Sequence, residues 1–137
     1  MEVRIRHAEG KQSEAFARFH RLVSDQPFAD GGSDYGMTPA ELMLSALGCS
    51  AMHCASEFLR SRYLPLDNLE VRVSGAVAGQ PGRLSDITIE VDAPNLNAVR
   101  REGLMRALQA CPLYLAFVHP PGIEVNLRAL EPADIGV

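Results

Sequence analysis

No Asp, Glu, Lys or Arg occurs from Leu42 through Ser56, a run of fifteen residues. Such a gap excludes an ordinary surface helix, which would carry a polar stripe. Basic residues are also in short supply: 13 Lys and Arg against 17 Asp and Glu give a net charge of -4, with a pI near 5.5. That balance excludes the basic footprint of a nucleic-acid partner. Cysteine is sparse, and its three residues are odd in number and too few for a disulfide scaffold. This usage fits a reducing, cytoplasmic setting. No basic-then-apolar signal segment opens the sequence, and neither an internal repeat nor a low-complexity stretch interrupts it. With 137 residues, 47% of them hydrophobic, the chain is read as a single domain over residues 1–137.

Inside the charge-free run sit Cys49, His53 and Cys54, while Cys111 lies far downstream, directly before Pro112. Thr38-Pro39-Ala40-Glu41 precedes the run and reads as a capping box with proline at the first helical position. A helix is therefore predicted from here to about Arg62, ahead of Pro65. At ~1.5 Å per residue it would be roughly 36 Å long, whereas a compact monomer of this size has a radius of gyration near ~14 Å. A helix apolar all round must be covered all round. One short chain has little material for that, so a second copy is the natural cover and a homodimer is expected. Membrane insertion is disfavoured, because Ser45, Gly48, Ser50 and His53 interrupt a run shorter than the ~20 residues a span needs.

Elsewhere the hydrophobic periods separate. Val3 and Ile5 alternate with Glu2, Arg4 and Arg6 as a first strand. Ala15 to Val23 carries apolar residues at both parities and is read as strand. Asp25 to Tyr35, with Pro27, Gly31 and Gly32, is a loop; its glycines, with Asp34 and Gly36, are turn geometry rather than a phosphate cradle, since no Lys or Arg follows. Leu69, Val71 and Val73 alternate with polar residues, Gly79-Gln80-Pro81-Gly82 turns the chain, and Ile87, Ile89 and Val91 return as a hairpin. Pro94-Asn95 opens a second helix whose apolar face runs through Leu96, Leu104, Leu108 and Cys111 at three-four spacing. Cys111 then faces the core near the end of that helix. Ile123, Val125 and Leu127 predict a last strand. The pattern is α+β, with helices laid on antiparallel sheet.

Taken together, several of these segments resemble the OsmC/Ohr family of osmotically induced and organic-hydroperoxide-resistance proteins, and within it the small YhfA-like branch. The matching pieces are Leu22-Val23-Ser24-Asp25-Gln26-Pro27, Gly31-Gly32 through Thr38-Pro39-Ala40-Glu41-Leu42, Ser45-Ala46-Leu47-Gly48-Cys49-Ser50, and Cys111-Pro112 followed by His119-Pro120-Pro121. The resemblance implies an intertwined homodimer in which antiparallel sheets pack around two central helices. It also implies thiol reduction of organic hydroperoxides by two cysteines, read here as Cys49 attacking and Cys111 resolving, with an external dithiol as reductant. Neither a cofactor nor a nucleic-acid or membrane partner is implied.

The sequence departs from the family in one respect. The family's reactive cysteine follows the motif proline by eleven positions, which is Ser50 here, and Cys49 comes one residue early. One residue turns a helix by about 100°. A bulge near Gly48 would restore the alignment. Alternatively, Ser50 has ended the peroxidase chemistry and the chain is a non-catalytic dimer that binds a small apolar ligand. The family's Ohr branch also carries glutamate directly after the proline, where this chain has Ala40; Glu41 is accounted for by capping.

The remaining candidates have simple readings. Cys54 reads as a small core hydrophobe, and Met43 and Met52 as core filling. His53 shares a helix face with Cys49, as a hydrogen-bonded core histidine or as an imidazolium favouring the thiolate. Arg4, Arg6, Arg18 and Arg21 are the other candidate thiolate partners. Cys49, His53, Cys111 and His119 lack the close Cys-x-x-Cys spacing of a zinc site, and no metal is assigned.

Overall fold

A computed structural model describes residues 1–131; the last six residues of the expected domain lie outside them. The elements run β1 (Arg4–His7), β2 (Ser13–Ala17), β3 (His20–Ser24), α1 (Pro39–Arg60), β4 (Glu70–Ala78), β5 (Arg83–Asp92), α2 (Ala98–Gln109) and α3 (Pro112–Val118). They form an α+β fold with two antiparallel sheets, β1-β2-β3 and β4-β5.

The capping box at the start of α1 is complete. Glu41 N–H donates to Thr38 Oγ1 at 3.2 Å, and Thr38 N–H donates back to Glu41 Oε2 at 2.8 Å. The helix runs unbroken to Arg60. Its covered face lies on β4 and against α2 and α3. Ala55, Phe58 and Leu59 form the core with Leu96 and Leu104. Gly48 allows the close seat on the sheet, since a Cβ there would stand 3.0 Å from Val73 Cγ2. The opposite face, with Met43, Ala46, Cys49 and His53, is exposed in the subunit. By length and composition α1 could cross a membrane.

The approach to α1 is organised by a carboxylate. Asp25 is 1% exposed and accepts from the backbone N–H groups of Gln26 (2.7 Å), Tyr35 (3.1 Å) and Ser33 (3.2 Å), and from Gln12 Nε2 (3.4 Å). One side chain thus closes the whole Asp25–Tyr35 loop, which contains a 3-10 turn at Phe28–Asp30. Gly32 is required here: a Cβ would stand 1.9 Å from the Gln26 carbonyl oxygen. Ser24 and Asp25 then bond the Met37 carbonyl, tying the end of β3 to the helix cap.

Four expectations change. Ala15–Val23 is not one strand but the β2–β3 hairpin, reversing at Arg18-Phe19 with Arg18 at φ 55. Neither residue is the glycine or asparagine that advertises such a turn. The second helix begins at Ala98 rather than Pro94-Asn95, with Asn97 as its cap, accepting from Arg100 N–H at 2.9 Å. That helix stops before Cys111, and the separate α3 follows. Proline disfavours a helical conformation in the residue before it, so Cys111 is extended and Pro112 starts a new helix. Finally, Ile123, Val125 and Leu127 join no sheet among the described residues and are exposed. A strand needs a paired edge, and the described residues provide none beside them.

Among the described residues, the β1–β3 sheet has no extensive packing against the helices or β4–β5. Its tie to the rest is the Ser24–Met37 bridge.

Two predictions come from the loop and cap. Thr38→Ala should lower stability by about 1 kcal/mol, read as a reduced urea midpoint with unchanged slope. For Asp25, burial alone would raise the carboxyl, but the Gln26, Tyr35, Ser33 and Gln12 donors outweigh it and hold it below the ordinary 3.8. An acid depressed in the folded state contributes stability above its unfolded pKa and loses it as pH falls through the folded value. Asp25→Asn should therefore be less stable than wild type at neutral pH, with the gap closing below about pH 3.8. An equal gap at both ends of a pH-resolved melting series would show that the charge does not hold the loop.

Candidate thiol site

All three cysteines are free. Because α1 is α-helical throughout, no bulge re-registers Cys49, and Ser50 stays at the eleventh position after Pro39. Cys49 is exposed and opens onto an apolar cleft of about 530 Å³ between α1 and β4, with Met37, Leu44, Met52, Val71 and Val73. Glu41 is the charged side chain at its margin. Among the described residues, no Arg, Lys or His lines this cleft.

The expected cations lie elsewhere. Arg4, Arg6 and Arg18 gather with Glu2 and Phe16 on the β1–β3 sheet, where Arg6 stands 5.9 Å from the Phe16 ring centroid. Arg21 is bonded to Glu14. His53 is exposed rather than a core residue. Among the described residues, no group of three or more His, Cys, Asp or Glu is placed to hold a metal.

Cys111 is 1% exposed and caps α3, its Sγ accepting from Tyr114 N–H at 3.4 Å. Its thiol neighbour is Cys54, on the half-buried flank of α1. Burial raises the Cys54 thiol above the usual 9.0, and the charge of Cys111 and a thiol hydrogen bond to it raise it further. At ~100° per residue, Cys49 lies about 140° round the helix from Cys54. Within the subunit the structure brings Cys111 to Cys54 and sets Cys49 on the other side of α1. The sequence reading took Cys54 for core filling. The available signal was its spacing: Cys54 follows Ser50 by four residues and so shares its helix face one turn on.

A three-stranded sheet, a long apolar helix seated by one face on a hairpin, and thiols on and against that helix define a class already known from other proteins. The family model described as OsmC-like protein matches residues 31–126, well over half the chain. The chain belongs to the OsmC-like family. Its fold is similar to that of an osmotic stress induced and detoxification response protein from Psychrobacter arcticus 273-4 (TM-score 0.76, 16% identity, 86% of this chain and 88% of that one). It is similar also to an OsmC like protein from Mycoplasma pneumoniae (TM-score 0.72, 17% identity, 87% of each chain). A third likeness is to the organic hydroperoxide resistance protein OsmC from Legionella pneumophila (TM-score 0.64, 16% identity, 86% of this chain and 88% of that one). No curated protein matches the chain in sequence.

Proposed function

We propose that this protein reduces organic hydroperoxides with cysteine thiols, as a homodimer in the cytoplasm, using an external dithiol as electron donor. The observation that carries this reading is the gathering of three free thiols on and against one helix of an OsmC-like fold. A thiolate attacks the O–O bond, an alcohol leaves and a sulfenic acid forms. A second thiol condenses with it, releasing water, and dithiol exchange restores the pair. Sequence assigns the attack to Cys49 and the closing step to Cys111. The exposure of Cys49 in an apolar cleft would admit a hydroperoxide, but Cys111 lies across α1, against Cys54 rather than beside Cys49.

The dimer is supported by what the subunit leaves uncovered. The exposed face of α1, the unpacked β1–β3 sheet and the unpaired Ile123–Leu127 segment all present apolar side chains. Burying them against a second copy would give an interface of the obligate kind, above ~2,000 Å². It would also let the arginines of β1–β3 approach a thiol of the partner, supplying the cation the Cys49 cleft lacks.

One observation favours a second reading. The unbroken α1 leaves Ser50 at the family's cysteine position, and a hydroxyl cannot perform the redox step. The alternative is a dimer that binds a small apolar ligand without turnover.

Titrating thiols after one equivalent of cumene hydroperoxide separates the two. Peroxidase chemistry should remove two thiols per subunit; retention of all three would leave the binding reading. For assembly, sedimentation should find a dimer at micromolar concentration, weakened by Met43→Asp on the exposed face of α1. A well-folded wild-type monomer at that concentration would overturn it.

A further inference from the structure

We propose that the disulfide partner of Cys111 in this chain is Cys54, so that its redox pair joins α1 to the α2–α3 junction. For its physiological oxidant this inference rests on the peroxidase reading; the pairing itself does not.

Three features place the pair. Cys54 lies on a half-buried flank of α1, and α2 and α3 both pack on this helix. Pro112 breaks the downstream helix, and the extended Cys111 turns its sulfur inward, fixed by the Tyr114 N–H. The two thiols meet as each other's sulfur neighbour, whereas Cys49 faces a separate cleft. Cys54 also shares its helix face with Ser50. The helix thiol of this chain thus stands one turn further along the face that carries Ser50. An apolar cavity of about 320 Å³ lies nearby; neither cysteine lines it, but Ala51, one turn before Cys54, and Tyr114, three residues after Cys111, do, with Leu47, Ile89, Met105 and Phe117. Its lining suits the organic part of a hydroperoxide.

The chemistry balances on these atoms. Cys54, the less buried sulfur, attacks the hydroperoxide as thiolate. The O–O bond breaks, the alcohol leaves with a proton, and Cys54 becomes a sulfenic acid. The Cys111 sulfur then displaces hydroxide, which departs as water with the Cys111 proton, and the S–S bond closes. Two thiols have supplied the two electrons that reduce one hydroperoxide. Cys111 is the titratable group that acts on Cys54. Together with burial it keeps the Cys54 proton in place at neutral pH, so closure should quicken about tenfold per pH unit between about pH 7 and 9 as thiolate forms.

The test is disulfide mapping on the wild-type protein. Reduced protein is treated in parallel with one equivalent of cumene hydroperoxide and with diamide, acid-quenched, alkylated in denaturant, and digested for mass spectrometry. Both oxidants should give a Cys54–Cys111 linkage at monomer mass on a non-reducing gel, with Cys49 recovered alkylated or oxidised alone. Linkage with diamide but not hydroperoxide would keep the pairing and sink the peroxidase reading. A Cys49–Cys111 bond, an intersubunit Cys54–Cys111 bond, or free Cys54 and Cys111 after diamide would overturn the pairing. A closure rate flat across that pH range would overturn Cys54 as the attacking sulfur.

Discussion

Everything in this chain is arranged around the need to cover α1. Fifteen consecutive residues without a charge cannot remain in water on all sides, because each buried apolar side chain contributes about 1.5–3 kcal/mol over its exposed state. The subunit covers one side with β4, α2 and α3, and the close seat on β4 depends on Gly48 having no side chain toward Val73. The other side stays apolar and open. The sheet β1–β3 and the Ile123–Leu127 segment are left in the same condition, with apolar side chains and little to pack on. The proposed second copy of the chain would meet all three needs at once.

The same helix decides where the thiols sit. Rotation of about 100° per residue turns Cys49 outward and Cys54 inward, though both belong to one unbroken element. Proline then acts at a distance: by ending α2 before Cys111 it brings a fully buried sulfur to the inner flank of α1. The two environments differ in kind. Cys49 opens on an apolar cleft whose charged margin is a carboxylate already engaged in capping. Cys54 meets Cys111 on the half-buried flank of the helix, where burial and the neighbouring sulfur push the Cys54 thiol up.

Ahead of that helix, Asp25 shows how little is needed to hold a loop. Three backbone N–H groups of a largely exposed loop converge on one buried carboxylate. Charge-assisted hydrogen bonds are stronger than neutral ones, and here they set the direction from which the chain enters the Thr38 cap.

Local rules made much of this legible beforehand. The capping box, the charge-free helix, the β4–β5 hairpin and the burial of Cys111 each follow from neighbouring residues along one element, where period and cap chemistry suffice. The matched segments from Leu22 to Pro121 likewise identified the family from order and spacing. What tertiary structure decided was everything that depends on an opposing surface. The β2–β3 reversal at Arg18-Phe19 carries no turn residues. The role of Asp25 needs donors up to thirteen residues away in sequence. Whether residues 123–127 form a strand depends on an edge that the described residues do not offer. Helix periodicity separates Cys49 from Cys54 by angle but is silent on which side Cys111 approaches, because a helix knows its own faces and not what will be packed against them.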